Sequence, residues 1–190
     1  MGAESFNCGG EGANGMSVLF VYPKPNERKH TRYGYSLTIA YASAILKAKG
    51  ICTHLFDLSV EAVSIDVILQ FVREHEVQMV FVEFDSFALH RSANEANGLH
   101  ILQRIGGELP QVRKIAFGYA CTMAGKDVPY ADVTLRGDLC SYLLALDKLP
   151  QEYEPFPPLC GYAFDRLPFP DRALFESIDY YAKNQHSTLL

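Results

Sequence analysis

The sequence predicts an α/β fold in which helices cover both faces of a five-stranded parallel sheet. Short, almost unbroken apolar runs alternate with segments whose apolar residues have helical spacing, and this alternation repeats from Ser17 onward. Continuous apolar runs are typical of strands that are buried on both faces of a parallel sheet. Strand–helix–strand units form right-handed crossovers, so we expect a doubly wound sheet.

The first strand is predicted at Ser17–Tyr22, where Pro23 ends the apolar run. A helix follows over Tyr35–Lys49, because apolar residues recur there at helical spacing, and Gly50 is its expected C-terminal cap. Cys52–Leu58 is the second predicted strand.

Ser64 is placed to cap a second helix, whose apolar face consists of Ile65, Ile68, Leu69 and Val72. The remaining elements are strands, helices and one loop, all predicted from the same two patterns. In chain order they are the strand Met79–Phe84, a helix over about Ala93–Leu109, the strand Lys114–Phe117, the loop Gly118–Gly125, the strand Val133–Leu135 and the helix Leu139–Leu149.

The composition divides the chain into three parts. Residues 1–16 are rich in glycine and have little to bury, so we expect a flexible leader. Residues 17–149 form the α/β domain. Six of the ten prolines lie between positions 150 and 170, which predicts an extended linker, and Asp171–Asn184 is compatible with one final helix. We expect residues 150–190 to act as a docking element.

Charge and hydropathy exclude several classes of protein. The chain has 17 basic and 22 acidic residues, a net charge of −5, which is unsuited to nucleic acid or an anionic membrane surface. No apolar run approaches the roughly 18 residues that span a bilayer, and the N-terminus lacks the order of a secretory signal. We expect a cytoplasmic protein with neither kind of partner.

The cysteines give no sign of a metal site. The chain has five of them, an odd number at wide spacing, without a C-x-x-C pair or a Cys/His pair at zinc spacing. We expect free thiols and no protein-bound metal. The five are Cys8, Cys52, Cys121, Cys140 and Cys160.

A ligand of such a fold binds at the carboxyl ends of the strands, where the strand order reverses. For the order 2-1-3-4-5, this crevice lies between the loops Pro23–Gly34 and Asp85–Ser92, beside Gly118–Gly125 and Arg136–Asp138. The long first loop is basic, which favours a large, polar, partly anionic organic ligand. The alternative interpretation of these loops is solvated turns without a function.

Familiar catalytic and nucleotide-binding motifs are absent from the sequence. Neither G-x-G-x-x-G, nor a Walker motif, nor G-x-S-x-G occurs. Strand one ends in Val21-Tyr22-Pro23 without the acidic pair of a phosphate-accepting response regulator. Catalysis by Cys121 or Asp85 remains an alternative for which no base is apparent. We therefore assign no catalytic residue.

Seven segments in the correct order resemble one protein family. They are SVLFVYP, YGYSLTIAYASAILKAKGI, THLFDLS, VQMVFVEFDS, VRKIAFGYACTM, YADVTLRGD and FDRLPFPDRALF. Together they resemble the cobalamin-binding domain that precedes the catalytic domain of cobalamin-dependent radical S-adenosylmethionine enzymes. The resemblance extends over about Ser17–Phe175, and Leu167–Asp171 is its most specific part.

The resemblance implies a flavodoxin-like, or Rossmann-like, sheet of order 2-1-3-4-5 with a corrinoid over its carboxyl edge. By position, it assigns the cofactor contacts to residues that follow strands one, three, four and five. They are Tyr22, Pro23 and Lys24; Glu83, Asp85 and Ser86; Gly118, Tyr119, Cys121 and Thr122; and Gly137 and Asp138.

Two positions depart from the family pattern. Glu83 stands where the family commonly has serine, and Tyr119 stands where it has a second glycine, so both changes are expected to narrow or close the pocket. The D-x-H-x-x-G motif of other cobalamin carriers is absent. His30 is the nearest candidate for a cobalt ligand, and a solvated loop histidine is the plainer interpretation.

The cysteine pattern of the family's catalytic domain is also missing. No C-x-x-x-C-x-x-C segment is present to hold a four-iron cluster, so we expect a chain that is not catalytic alone. The leading hypothesis is a stand-alone cobalamin-binding module that serves a separate radical S-adenosylmethionine protein of the methyltransferase type, or the separated front domain of such an enzyme. The alternative is an interaction or scaffold subunit that has lost the cofactor.

Overall fold

The computed structural model describes residues 15–24, 35–84, 91–145, 167–176 and 178, without the side chains of residues 91–95 and 124. Its strands are β1 (Ser17–Tyr22), β2 (Cys52–Asp57), β3 (Met79–Glu83), β4 (Arg113–Phe117) and β5 (Val133–Thr134). They form a five-stranded sheet of order β2-β1-β3-β4-β5 in which every pair is parallel. The predicted fold class and strand order are confirmed.

The described helices are α1 (Leu37–Ala48), α2 (Ile65–Glu74), α3 (Arg91–Glu108), α4 (Tyr119–Ala124), α5 (Leu139–Ala145) and α6 (Ala173–Glu176). The loop predicted over Gly118–Gly125 is wrong, because that segment contains α4. Six helical residues are too few to show apolar periodicity, and Gly118 caps the helix without a side chain. Gly125 ends it in the left-handed conformation.

Side chains of the sheet alternate between two packed layers. Val18 and Phe20 of β1 contact the layer that contains α1 and α5, whereas Leu19 and Val21 contact the layer of α2 and α3. In the first layer, the Phe20 and Phe81 ring centroids lie 5.3 Å apart. Because helices cover both faces, every residue of β1 is buried, which explains the unbroken apolar run in the sequence.

Capping residues define where the first two helices begin. The Ser36 hydroxyl accepts a hydrogen bond from the backbone N–H of Ile39 at the start of α1, and Ser64 caps α2 in the same way, as predicted. At the other end of α1, Gly50 has a φ of +74°, a left-handed conformation that suits glycine. The predicted boundary at Gly50 is confirmed.

The C-terminal segment packs on the α1 layer of the same domain. Leu174, Phe175 and Ile178 are buried in this layer, and the Phe175 ring lies 4.6 Å from the Tyr35 ring. A helix was expected over 171–184, and within that range the described residues form α6, Ala173–Glu176. Residues 1–14 of the expected leader, 146–149 of the helix expected over Leu139–Leu149 and 150–166 of the expected linker lie outside the described residues.

Two chemical expectations can be compared with the described part of the chain. No helix there has the length and hydropathy needed to cross a membrane. Cys121 and Cys140 are buried free thiols, but Cys52 is disulfide-bonded, so the expectation of free thiols throughout is wrong. Cys52 is the first residue of the edge strand β2 and is only partly buried.

Candidate functional site

A cavity of about 370 Å³ opens at the carboxyl ends of β3 and β4, on the face covered by α1 and α5. Its volume lies in the range of small-molecule sites. The lining residues come from the first turn of α1, the ends of β3 and β4, α4 and the turn before α5. They are Thr38, Glu83, Phe117, Gly118, Tyr119, Thr122, Gly137, Asp138 and Leu139.

Strand register places a carboxylate in the wall of this cavity. Glu83 lies opposite Phe117 in the β3–β4 ladder, and it follows Phe81 by two residues, so its side chain points toward the α1 layer. Glu83 is 5% exposed, and the Ser36 hydroxyl donates a hydrogen bond of 3.3 Å to its Oε1 atom. The carboxylate therefore lies at the N-terminus of α1, where the helix dipole stabilises negative charge.

Two glycine turns shape the opposite wall. Gly118 has a φ of +113°, and a Cβ atom there would lie 2.6 Å from the carbonyl oxygen of Phe84. Gly137, before α5, has a φ of +108°. Both conformations are in the region that favours glycine. Because neither glycine has a side chain, backbone atoms contribute to this wall.

Thr122 connects the two turns. Its hydroxyl accepts a hydrogen bond of 2.9 Å from the backbone N–H of Gly137. The same hydroxyl lies 3.3 Å from the carbonyl oxygen of Gly118, to which it donates. One side chain thus holds the β4–α4 turn in position relative to the β5–α5 turn, across a wall of the cavity.

Asp138 begins α5 and affects the nearest thiol. Its carboxylate accepts a hydrogen bond of 2.6 Å from the backbone N–H of Ser141. Burial, followed by the negative charge of Asp138, raises the pKa of Cys140 to about 12. The Cys140 thiol is therefore protonated near neutral pH and is unsuited to nucleophilic chemistry.

Three large side chains on the helices that contribute to the cavity are exposed. Tyr119 and Met123 lie one turn apart on α4 and are 56% and 59% exposed. Leu37, next to the lining residue Thr38, is 57% exposed. A cavity is present although Glu83 and Tyr119 both line it, so the two side chains do not close it.

Six of the residues assigned by the resemblance line the cavity together: Glu83, Gly118, Tyr119, Thr122, Gly137 and Asp138. Three lining residues, Thr38, Phe117 and Leu139, were not anticipated from the sequence. Each either ends a strand or begins a helix. They were recognisable only from the rule that strand carboxyl ends and helix N-termini meet at one edge.

Other assigned residues lie elsewhere. Tyr22 is part of the α1-layer core, and Cys121 packs in the α2–α3 layer on the opposite face. Pro23 approaches Gly98 of α3, and the backbone carbonyl of Lys24 accepts a hydrogen bond from the Asn97 side chain.

The positions Asp85, Ser86 and His30 lie outside the described residues. Within the described part of the chain, no group of three or more His, Cys, Asp or Glu residues is arranged to hold a metal ion. In comparisons with known proteins, no family model matches the chain, and no curated protein matches it.

Proposed function

We propose that this protein is a cobalamin-binding module. The observation that carries the proposal is the cavity at the carboxyl edge of a 2-1-3-4-5 sheet, lined by six residues that a resemblance to cobalamin-binding domains had assigned to the cofactor. In doubly wound sheets this edge is where ligands bind. The sequence pattern and the geometry therefore support the same site.

The cavity suits part of a corrinoid. A whole corrinoid exceeds about 370 Å³, so the cavity accepts one edge or side arm of the cofactor, and the rest lies over the sheet edge. The turns at Gly118 and Gly137 offer backbone, and Tyr119 and Met123 offer apolar surface to the macrocycle. When bound, cobalamin supplies a cobalt centre that carries a methyl group, while this chain binds and orients it.

A separate radical S-adenosylmethionine protein is the proposed partner. The segment Leu167–Asp171, the most specific part of the resemblance, is held on α1 by a hydrogen bond from the Asp171 N–H to the Ala40 carbonyl. Between two prolines of this segment, Phe169 is 96% exposed. An exposed aromatic side chain on an anchored segment favours contact with another protein.

The alternative function is that of a scaffold subunit without cofactor. This alternative predicts that the side chains of Glu83 and Tyr119 fill the crevice. The open cavity and the exposed Tyr119 side chain favour the carrier. Independent catalysis has less support, because Cys121 is 1% exposed in the opposite layer.

Titration with hydroxocobalamin tests the proposal. We expect saturable 1:1 binding by calorimetry, with a change in the visible spectrum of the corrinoid. Thr122→Val removes the hydroxyl that joins the two glycine turns, so binding is expected to weaken about fivefold, which corresponds to one hydrogen bond. Thr122→Ser keeps the hydroxyl and is the matched control.

Absence of binding at high-micromolar hydroxocobalamin would contradict the cofactor assignment. If, in addition, a partner protein were captured equally well with and without cobalamin, the scaffold alternative would be supported instead.

A further inference from the structure

The C-terminal segment, residues 167–176 and 178, lies along α1 and reaches the start of that helix. The backbone N–H of Asp171 donates a hydrogen bond of 3.0 Å to the Ala40 carbonyl, and the Asp171 carboxylate lies 2.7 Å from the Lys47 ammonium. Four residues further on, the Phe175 ring lies 4.6 Å from the ring of Tyr35, which precedes α1. The segment therefore follows α1 toward the edge of the sheet that carries the cavity.

The start of α1 is also part of the cavity wall. Ser36, the residue after Tyr35, caps the helix by accepting a hydrogen bond from the backbone N–H of Ile39. The same Ser36 hydroxyl donates to the Oε1 atom of Glu83 at the end of β3. Thr38, in the first turn of α1, lines the cavity together with Glu83. Residues 35–38 therefore connect the C-terminal segment with the cavity.

Apolar side chains hold the C-terminal segment on the α1 layer. Leu174, Phe175 and Ile178 are buried there, and Tyr35 packs against the same layer. Residues 167–172 form neither helix nor strand, and α6 has only four residues. An element of this kind, held by a few buried side chains, opens locally at a lower free energy than the whole domain. Its docking is therefore an equilibrium that is separate from the folding of the sheet.

Resting on the proposed function for the identity of the ligand, we infer that the C-terminal segment is a strap that preorganises the cavity. With the segment docked, the contact between Phe175 and Tyr35 fixes the entry into α1, and Ser36 and Thr38 are in position before a ligand arrives. With the segment undocked, the ligand must order this turn when it binds, which costs conformational entropy.

Docking of the segment therefore raises the affinity of the cavity, and by linkage a bound ligand strengthens docking by the same factor. Phe175 is 1% exposed and is not among the described lining residues of the cavity. It is a positioning residue, because it acts on the cavity through Tyr35.

The first experiment needs no ligand. Hydrogen exchange of the full chain, measured at single amides by NMR, compares Phe175→Ala and the milder Phe175→Leu with the unmodified chain. We expect the Ile39 amide, which donates to the Ser36 cap, to exchange about tenfold faster in Phe175→Ala. The amide of Phe81 in the central strand β3 reports global unfolding, and its rate is expected to rise much less.

The second experiment measures affinity by calorimetric titration with hydroxocobalamin. We expect the Kd to be about five- to tenfold weaker in Phe175→Ala than in the unmodified chain. Leu102→Ala is the matched control, because it removes a fully buried side chain of α3 from the opposite layer and destabilises the domain comparably. Its Kd is expected to stay within about twofold, since both variants are titrated while folded and global stability alone does not alter the Kd.

A reciprocal measurement uses the unmodified chain. Saturation with hydroxocobalamin is expected to slow exchange at the Phe175 amide, which donates to the Arg172 carbonyl in the C-terminal segment. Phe175→Leu retains most of the apolar burial, so the affinity and exchange measurements do not depend on the folding of Phe175→Ala alone.

The outcomes separate this inference from the proposed function. Exchange at Ile39 that rises no more than at Phe81 in both Phe175 variants would overturn the strap, whether or not a ligand binds. An unchanged Kd in both Phe175 variants, or an equal loss in Leu102→Ala, would also overturn it and leave cobalamin binding intact. If hydroxocobalamin failed to bind while Ile39 exchange responded as expected, the proposed ligand would be wrong and the positioning of the cavity wall by the segment would be supported.

Discussion

At the scale of single residues, the shape of the cavity depends on Gly118, which has no side chain, and on the hydroxyl group of Thr122. Gly118 allows the chain to turn at the end of β4, beneath the carbonyl of Phe84. Thr122 then joins this turn to Gly137. Neither contact buries apolar surface, so the hydrophobic pattern of the sequence does not predict these contacts. Substitution at such positions tests backbone geometry rather than core packing.

Replacing Gly118 by alanine is expected to lower the free energy of unfolding by about 2–3 kcal/mol, because it combines a positive φ with a clash against backbone. Gly107→Ala is the control. Gly107 lies in α3, and no atom lies within 4 Å of the place that an alanine methyl group would take, so alanine there is expected to raise the same quantity by about 0.5–1 kcal/mol. Urea denaturation measures the free energy of unfolding of both variants. Equal changes in the two variants would contradict the special backbone role of Gly118.

His54 provides a pH-dependent contribution to stability. It is 8% exposed, its Nε2 atom lies 3.1 Å from the Ser17 hydroxyl, and its ring lies 5.4 Å from that of His75. Burial above all, then the charges of His75 and Lys47, lowers the pKa of His54 to about 4. The unfolded chain, with a pKa near 6.5, therefore binds this proton more readily than the folded protein does.

Stability is accordingly expected to fall as the pH falls from about 6.5 toward 4. We expect a loss of about 1–2 kcal/mol between pH 7 and pH 4.5 from this group. In His54→Gln the pH dependence of urea unfolding should be reduced by that amount, whereas His100→Gln, at an exposed position of α3, should keep it. If the stability of both variants depended on pH in the same way, His54 would not be the source of the pH dependence.

At the scale of elements, the helices α1 and α5 and the C-terminal segment support the wall that carries Glu83. Asp171 links that segment to α1: its Oδ2 atom lies 2.6 Å from the Ser43 hydroxyl and 2.7 Å from the Lys47 ammonium. Ser43 in turn contacts Thr53 of β2 at 2.6 Å. The C-terminal segment is therefore connected to α1 and to the edge of the sheet, as well as being a candidate surface for a partner.

Asp171→Ala is expected to lower the free energy of unfolding by about 1–3 kcal/mol, because the buried Ser43 hydroxyl and the Lys47 ammonium lose an acceptor. The control is Asp127→Ala. Asp127 pairs with Arg136, but its side chain is 86% exposed, so the expected change is within about 0.5 kcal/mol. Denaturant midpoints report both, and similar losses would argue against a structural link at Asp171.

At the scale of the whole molecule, the parallel sheet gathers functional groups that are distant in the chain. Glu83, Thr122 and Asp138 come from three different strand–helix connections. The sheet itself is held by two apolar layers that continue to the same edge. A ligand seated there contacts several of these connections, so its binding should stabilise the whole domain rather than one loop.

Hydroxocobalamin at a free concentration 100 times its Kd is expected to raise the free energy of unfolding by about 2.7 kcal/mol. For a chain of this size, the Tm should rise by about 5–10 °C. Thermal denaturation followed by circular dichroism measures the shift. Flavin mononucleotide, an anionic ligand with a planar ring, is the comparison and is expected to give little change. An unchanged Tm at saturating cobalamin would contradict selective binding to the folded state.

The sequence by itself determined the architecture, because the rules that connect apolar runs, caps and parallel crossovers are local. Ser17–Tyr22 and Met79–Phe84 indicated strands buried on both faces, and Ser64 marked a helix start; the structure bears out these assignments apart from small shifts in boundary. The strand order alone was also sufficient to predict that the ligand-binding loops lie at the carboxyl edge of the sheet.

Only the tertiary structure decided which residues share the cavity. Cys121 and Thr122 are neighbours in the chain, yet α4 turns Cys121 into the opposite core and Thr122 toward Gly137. Glu83 was expected to narrow or close the pocket; it lies against Ser36 in the wall of a cavity that is not closed. Such outcomes depend on the directions of side chains from separate elements, and local sequence patterns do not specify those directions.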